Sequence, residues 1–301
     1  MIGTRVLIGG IALAVVLSGC SAAVDKPDTG RLSIVASTDV YGSIASAIGG
    51  DLVDITSILD DPSQDPHSFE ANARVQLELS KADIVIENGG GYDGFVDSML
   101  SGAGNPNAVV LTVTDISGVD QHPATGEFNE HLWYSLDAVG KLSSRLEAAL
   151  VAAEPASAET FAANAAAFRA GLDVLGVNVA ALKEHSHGMG VIVTEPVPLY
   201  LLTEAGFDNV TPPAFSASVE EGTDVAPAVL QETLGLIRDG TARLVVYNSQ
   251  TSGAETNAVR EAAQELAIPV FGVTETLPAG ETGYLHWMQT IIQSLQETLA
   301  G

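Results

Sequence analysis

Cysteine and basic residues are scarce in this sequence. A single cysteine, Cys20, occurs in 301 residues, so no disulfide can form within the chain. The 12 lysine and arginine residues are outnumbered by 38 aspartate and glutamate residues, and the formal net charge is −26. A chain with this charge is repelled by nucleic acids and by anionic membrane surfaces, so we expect no nucleic-acid partner.

Several motifs of catalytic and nucleotide-binding sites are also missing. The metalloprotease motif His-Glu-x-x-His and the hydrolase motif Gly-x-Ser-x-Gly do not occur in the sequence. The run Asn88-Gly89-Gly90-Gly91 lacks the Lys-Ser/Thr pair of a phosphate-binding loop and does not match the dinucleotide-binding spacing. We therefore interpret this run as a turn.

The N-terminal segment has the pattern of an export signal. Arg5 precedes an apolar stretch, residues 6–17, that is too short to form a transmembrane helix. The stretch ends in Leu17-Ser18-Gly19-Cys20, which resembles a bacterial lipobox; a plain secretory signal with a chance cysteine is the alternative. We predict a signal peptide at 1–19, lipidation of Cys20, and a lipid-anchored flexible tether at 20–30.

From Leu32 onward, short apolar runs alternate with helical patterns, which is typical of parallel α/β units. Predicted strands cover residues 32–37, 53–59, 82–87, 108–113, 191–194, 243–248 and 269–274. Predicted helices cover residues 40–48, 74–80, 94–100, 131–153, 198–205, 225–238, 254–266 and 282–299. Residues 115–129 are predicted to be irregular.

One long helix interrupts this alternation. Glu154-Pro155 is a helix start signal, and no proline lies between Ala156 and Pro196. Apolar side chains then recur at steps of four and three, which predicts a helix of about thirty residues with one buried stripe. We predict an N-terminal lobe at 31–153, a connecting helix at 154–187 and a C-terminal lobe at 188–301. A single doubly wound sheet with a long excursion is the alternative.

Four possible metal ligands share a structural setting. His67 follows the second predicted strand, His131 begins the last helix of the first lobe, and Glu195 and Glu275 end two strands of the second lobe. Ligands of α/β proteins gather at the carboxyl ends of strands, so these groups can meet in a cleft between the lobes. Two neutral imidazoles and two carboxylates balance one divalent cation. Each residue alone also fits an ordinary solvated position, and only their shared setting favours a site.

The motifs around these residues resemble those of the metal-specific, zinc- and manganese-binding solute-binding lipoproteins of ABC importers. The resemblance covers essentially the whole chain. It rests on Asp-Pro-His-Ser-Phe-Glu at 65–70, Ala-Asp-Ile-Val-Ile-Glu-Asn-Gly at 82–89, His-Leu-Trp-Tyr at 131–134, Thr-Glu at 194–195 with Tyr200 and Gly206, and Thr-Glu-Thr-Leu at 274–277. The chain departs from the family pattern at Asn129-Glu130, where Asp-Pro is usual, at Ser135, where an acid is common, and at Glu275, where Asp is usual.

The resemblance implies two similar α/β lobes with parallel sheets, joined by one long rigid helix, with the metal site in the cleft between them. It also implies that His67, His131, Glu195 and Glu275 hold one divalent ion per chain, Zn²⁺ or Mn²⁺. The cargo would pass to an ABC permease in the cytoplasmic membrane, while the protein stays extracytoplasmic and anchored by its N-terminal lipid. We expect a monomer without enzymatic activity.

Two other functions remain compatible with the same residues. A metal-dependent hydrolase would use His67, His131 and Glu195 as ligands and Glu275 as base. A surface adhesin or a receptor for a metal chelate would use the same scaffold. Four protein ligands close the coordination shell, whereas a catalytic zinc keeps a position open for water, and this favours metal capture. The mixed nitrogen and oxygen ligands leave zinc, manganese and iron open as cargo.

Overall fold

Two parallel sheets organise the part of the chain that the computed structural model describes, residues 30–61, 69–70, 72–251 and 253–300. The first contains β1 (Leu32–Thr38), β2 (Val53–Leu59), β3 (Ile84–Glu87) and β4 (Val109–Thr112), in the order β2-β1-β3-β4. The second contains β5 (Gly190–Val193), β6 (Asp208–Asn209), β7 (Leu244–Asn248) and β8 (Val270–Val273), in the order β6-β5-β7-β8. The two lobes thus repeat one plan. This confirms the predicted two-lobed α/β fold, and the alternative of a single doubly wound sheet is wrong.

The central strands are apolar because both of their faces are covered. All four residues of β3 and all four of β5 are buried, as parallel sheets flanked by helices require. The strand register is continuous from Ile34 across to Ile84 and from Val191 across to Leu244. Polar residues that follow these strands therefore emerge together at one edge of each sheet.

Helices cover both faces of the sheets and join the lobes. They are α1 (Asp39–Gly49), α2 (Ala73–Leu79), α3 (Phe95–Ala103), α4 (Val113–Ser117), α5 (Leu136–Ala153), α6 (Ala158–Ser186), α7 (Leu199–Glu204), α8 (Pro213–Glu220), α9 (Pro227–Arg238), α10 (Ala254–Glu265) and α11 (Tyr284–Ala300). Short 3₁₀ turns lie at Gly50–Leu52, Leu132–Tyr134 and Pro155–Ser157.

The long helix α6 connects the lobes, as predicted. It is 29 residues long, and its buried residues are Phe161, Ala165, Phe168, Leu172, Leu175, Val179, Leu182 and Ser186. This stripe packs against α5, α11 and α1. Among the described residues, the segment Pro155–Ser186 also has the length and composition of a membrane span, which core helices of soluble proteins often have as well. Its packing on three other helices explains its apolar character without a membrane.

One hydrophobic core runs through both lobes. It includes the inner residues of both sheets, the stripe of α6 and the aromatic residues Trp133, Tyr134, Tyr284 and Trp287. Smaller clusters lie on the outer face of each sheet. Because the main cluster is continuous from one sheet to the other through the connecting helix, the described residues from Arg31 onward form a single compact unit.

Hydrogen bonds between side chain and backbone also tie the lobes together. Tyr134 donates to the carbonyl of Thr274 at 2.7 Å, and Tyr284 donates to the carbonyl of Trp133 at 2.8 Å. The rings of both tyrosines are buried in the core. These ties lie close to the loop that carries Glu275.

The structure corrects two predicted features and adds two elements that were not predicted. His131 does not begin a helix: a 3₁₀ turn follows it, and α5 starts only after Ser135, whose hydroxyl accepts a hydrogen bond from the Ala138 amide and caps the helix. The segment predicted to be irregular begins with the one-turn helix α4. The sequence interpretation also missed β6, which has two residues, and α8. The helix α8 begins at Pro213, and consecutive prolines indicate a loop unless the second occupies the first helical turn.

Candidate metal centre

Three polar residues meet at the carboxyl edge of the second sheet. Glu195 follows β5, Asn248 ends β7, and Glu275 follows β8. The strand β7 lies between the other two, so Asn248 separates the two acids. The exposed fractions of Glu195, Asn248 and Glu275 are 2%, 1% and 0%. Two carboxylates are thus buried side by side, an arrangement that costs free energy unless donors or a cation accompany them.

The side-chain amide of Asn248 supplies donors to both acids. Its Nδ2 donates to Glu195 Oε2 at 2.6 Å and to Glu275 Oε1 at 2.7 Å. Its Oδ1 accepts a hydrogen bond from the backbone N–H of Gln250 at 3.1 Å, which fixes the orientation of the Asn248 side-chain amide. Thr251 donates to the other oxygen of Glu195. The two carboxylates are therefore held in place before any ligand arrives.

Glu275 also makes contacts with the first lobe. Tyr92 Oη donates to Glu275 Oε2 at 3.0 Å, and His131 Nε2 lies 3.8 Å from the same oxygen. Tyr92 is placed there by the turn at residues 88–91, where Gly89, Gly90 and Gly91 all have positive φ. A Cβ on Gly90 would lie 2.4 Å from Phe128 Cε1, so this position requires glycine. The predicted turn is confirmed, and it positions Tyr92 next to Glu275.

His131 is oriented by Asn129. The ring Nδ1 lies 2.8 Å from Asn129 Oδ1, while Asn129 Nδ2 donates to the carbonyl of Pro196 at 2.9 Å. The amide of Asn129 is thereby assigned, and Nδ1 of His131 is the protonated nitrogen. The opposite nitrogen, Nε2, faces the carboxylates of Glu220 and Glu275. Metal-binding histidines commonly have such a hydrogen-bond acceptor, which fixes the orientation of the ring. The side chain of Asn129 also joins the two lobes.

The buried charges influence one another. Burial lowers the pKa of His131, but the hydrogen bond to Glu275 and the charges of Glu220 and Glu275 outweigh burial and raise that pKa above its usual range. Burial raises the pKa of Glu195, although hydrogen bonds from Thr251 and Asn248 oppose this shift. The shift at His131 shows that negative charge is in excess around its ring, whereas the shift at Glu195 comes first from burial. A cation at this position would relieve that excess.

The structure therefore brings His131, Glu195 and Glu275 into one buried region. His67 lies outside the described residues, as do Cys20, residues 1–19 and most of the predicted tether. Phe69, which follows the His67 loop, packs against Phe95 with ring centroids 4.8 Å apart. Among the described side chains, no group of three His, Cys, Asp or Glu is close enough to hold a metal ion by itself.

Sequence reasoning missed three residues of this region: Tyr92, Asn248 and Glu220. Asn248 carried a usable signal, because it ends a predicted strand that an α/β sheet places beside the strands of the two acids. Glu220 ends the unpredicted helix α8, and its Oε1 lies 3.4 Å from His131 Nε2. Tyr92 carried no signal of its own, since its position depends on the glycine turn before it.

A family described as zinc-uptake complex component A, periplasmic (ZnuA), matches residues 34–298. The chain belongs to this family. The match begins in β1 and ends in α11, so it includes both lobes and the connecting helix. The resemblance inferred from the motifs is confirmed. The family is named for uptake of an ion rather than for a chemical reaction.

Curated relatives of this chain are lipoproteins with different metals in their names. The manganese-binding lipoprotein MntA of Bacillus subtilis is 28% identical over 142 residues, which are 44% of this chain and 46% of that protein. The iron ABC transporter substrate-binding lipoprotein MtsA of Streptococcus pyogenes is 26% identical over 140 residues, 44% of this chain and 45% of that protein. The chain thus spans less than half the length of these curated relatives.

Solved structures support the fold over nearly the full length. A crystal structure of ZnuA has a TM-score of 0.72 at 19% identity and covers 90% of this chain and 99% of that one. A manganese-bound periplasmic metal-binding protein from Candidatus Liberibacter asiaticus has a TM-score of 0.69 at 18% identity, with 89% and 100% covered. At these identities the likeness establishes the shared two-lobed architecture.

Proposed function

We propose that this protein is an extracytoplasmic substrate-binding protein that captures one divalent transition-metal ion and delivers it to an ABC permease. The observation that carries the proposal is the buried meeting of His131 Nε2 with Glu275 at the cleft, in a chain of the zinc-uptake family. Imidazole nitrogen and carboxylate oxygen are donors that zinc, manganese and iron all accept. The names of the curated relatives, which mention manganese and iron, agree with this class of cargo.

The proposed ligands are His67, His131, Glu195 and Glu275. The last three are buried and oriented by neighbours, and His67 is proposed from its motif on the loop after β2. Two carboxylates offset the charge of the ion inside a site with little solvent. With all four groups bound, no coordination position is kept for a reacting water, so we propose binding without catalysis.

Isothermal titration of the metal-free protein tests this proposal. We expect one Zn²⁺ or Mn²⁺ per chain, and strong loss of affinity in His67→Ala and in Glu195→Ala. The matched controls are His286→Ala and Glu261→Ala, which change exposed residues and should bind like wild type. If the wild-type protein binds neither ion, or if both ligand variants match their controls, the proposed function is wrong.

We further propose that the protein is held at the membrane by a lipid on Cys20 and acts as a monomer on the extracytoplasmic side of its permease. The lipoprotein names of the relatives and the lipobox pattern at 17–20 support this location. In cell fractionation, Cys20→Ala should move the protein from the membrane to the soluble extracytoplasmic fraction. Retention of Cys20→Ala in the membrane would contradict lipid anchoring and leave the metal site unaffected.

A further inference from the structure

The loop that carries Glu275 is held from the first lobe as well as from its own lobe. Within the second lobe, Gln250 Oε1 accepts hydrogen bonds from the backbone N–H groups of Glu275 and Thr276, at 2.5 and 3.2 Å. On the N-terminal side of Glu275, the carbonyl of Thr274 accepts a hydrogen bond from Tyr134 of the first lobe at 2.7 Å. The backbone before Glu275 is therefore tied to both lobes.

The contact on the C-terminal side of Glu275 comes from Asp39. This residue follows β1 at the carboxyl edge of the first sheet and begins α1. Its Oδ1 accepts a hydrogen bond from the backbone N–H of Leu277 at 3.1 Å, although the two residues lie 238 positions apart in the chain. Because Leu277 comes two residues after Glu275, the contact with Asp39 limits how far the Glu275 loop can move relative to the first lobe.

A second side chain of α1 holds the far end of the same segment. Ser43 lies one turn after Asp39 on the same face of the helix, and its Oγ accepts a hydrogen bond from the backbone N–H of Tyr284 at 3.1 Å. The helix α1 thus binds segment 277–284 at both ends. The two contacts are of the same kind, but the one at Ser43 lies at the start of α11, remote along the chain from Glu275. Ser43 is therefore a natural comparison for Asp39.

We propose that Asp39 is a positioning residue for metal binding, which from the first lobe fixes the place of the Glu275 loop relative to His131. This inference rests on the proposed function and adds a residue that does not touch the ion. When ligands come from two lobes, any freedom in their separation must be lost on binding, and this loss weakens affinity. Groups that orient a metal ligand commonly contribute about 10- to 100-fold to affinity.

Isothermal titration with Mn²⁺ and with Zn²⁺ tests this role in three variants. Asp39→Ala removes the acceptor, Asp39→Asn keeps an acceptor oxygen without the charge, and Ser43→Ala removes the remote contact of the same segment. We expect Asp39→Ala to weaken the binding of both ions about tenfold, and Asp39→Asn to restore binding to within about threefold of wild type. Ser43→Ala should bind both ions within about twofold of wild type. Rescue by asparagine separates positioning through the hydrogen bond from a general effect of the negative charge.

Hydrogen exchange of the metal-free variants gives a second measurement that does not depend on the ion. Asp39→Ala should speed exchange of the backbone amides at residues 275–277, because the Leu277 N–H loses its acceptor. Ser43→Ala should speed exchange at Tyr284 and leave residues 275–277 as in wild type. Circular dichroism confirms that each variant is folded before it is titrated.

The outcomes separate this inference from the function on which it rests. If wild type binds an ion but Asp39→Ala matches Ser43→Ala in affinity, Asp39 has no positioning role and the proposed function stands. The same conclusion follows if Asp39→Asn loses as much affinity as Asp39→Ala, or if exchange at residues 275–277 is unchanged in Asp39→Ala. If wild type binds neither ion, the proposed function fails and this inference fails with it.

Discussion

Asn248 shows how a single uncharged residue organises a buried acidic site. Both hydrogens of its side-chain amide are used, one on Glu195 and one on Glu275. It reduces the repulsion between the two acids without adding a positive charge. A lysine in its place would do the same and would also repel the incoming cation. The amide therefore holds the acids together and leaves their charge available for a metal.

We predict that Asn248→Ala lowers the stability of the metal-free protein. Two buried carboxylates would each lose a donor, and we expect a loss of about 2–4 kcal/mol in the free energy of unfolding. Urea denaturation of the metal-free variant measures this loss. Asn257→Ala, at an exposed position on α10, is the control and should remain within about 0.5 kcal/mol of wild type. Equal urea midpoints for Asn248→Ala and Asn257→Ala would mean that the hydrogen bonds from Asn248 to the two acids do not stabilise the metal-free protein.

Asp39, a half-buried acid at the start of α1, also has a shifted pKa. Burial raises its pKa from 3.8 to about 6, although it accepts a hydrogen bond from the Leu277 amide at 3.1 Å. Because the pKa in the folded state lies above the ordinary value, folding favours the protonated acid. The associated stability is fully present below pH 3.8 and is lost as the pH rises through about 6.

We therefore predict that Asp39→Asn becomes more stable than wild type as the pH rises from 4 to 7. Asparagine keeps the oxygen that accepts from Leu277 and carries no charge. Since Asp39 is partly exposed to solvent, we expect a gain of about 1–2 kcal/mol at pH 7. Thermal melts across this pH range measure it, with the exposed Asp51→Asn as control. A constant difference between Asp39→Asn and wild type at all pH values would disprove the assignment.

At the scale of single elements, α6 contains two glycines in different surroundings. A Cβ on Gly171 would lie 2.5 Å from Leu285 Cδ1 of α11, so the two helices approach each other closely there. A Cβ on Gly176 would meet nothing within 4 Å. The first glycine permits helix packing, while the second weakens the helix without a contact that requires it.

We predict opposite outcomes for alanine at these two positions. Gly176→Ala should raise the free energy of unfolding by about 0.5–1 kcal/mol, since alanine restricts the unfolded chain and favours the helix. Gly171→Ala should gain less or lose stability, because Leu285 must move to make room. Chemical denaturation of both variants under the same conditions gives the comparison. A larger gain for Gly171→Ala would contradict the packing described for α6 and α11.

The elements also show which parts of the fold the sequence predicts. Long periodic patterns predicted α5, α6 and α11, although α5 begins only at Leu136, and apolar runs predicted the strands of the described residues except β6. The helix α8 was missed because its prolines indicate a loop, and its acidic end residue was missed with it. At the site, Glu195 and Glu275 could be predicted from their positions after strands. Asn248 ends a predicted strand and could have been placed in the same way, whereas the role of Tyr92 could not be predicted, since its position depends on the glycine turn before it.

At the scale of the whole molecule, the lobes are held by a helix and by polar ties at the cleft. The helix α6 has no proline to bend it, and a continuous hydrogen-bonded helix resists hinge motion. Tyr134 and Tyr284 donate across the lobes from buried rings, and Asn129 donates to Pro196. None of these ties uses the proposed ligand atoms, so we expect all of them in the metal-free and in the metal-loaded protein.

We therefore predict that metal release changes the loops at the site and leaves the lobes in place. Small-angle scattering should give nearly equal radii of gyration for the metal-free and metal-loaded protein, with a difference of less than about 1 Å. Hydrogen exchange should show faster exchange in the loops around His131 and Glu275 after metal removal. A large expansion on metal removal would show a hinge motion that the rigid connection excludes.

The strand order of the second sheet has a consequence for how the site is formed. Glu195 and Glu275 come from β5 and β8, which meet only after β7 has been inserted between them. Contacts between segments so far apart in the chain form late in folding. On the proposed ligand assignment, we expect metal bound to these acids to act after the rate-limiting step of folding. In stopped-flow experiments the ion should slow unfolding and leave the refolding rate unchanged, so that the cargo itself prolongs the lifetime of its carrier.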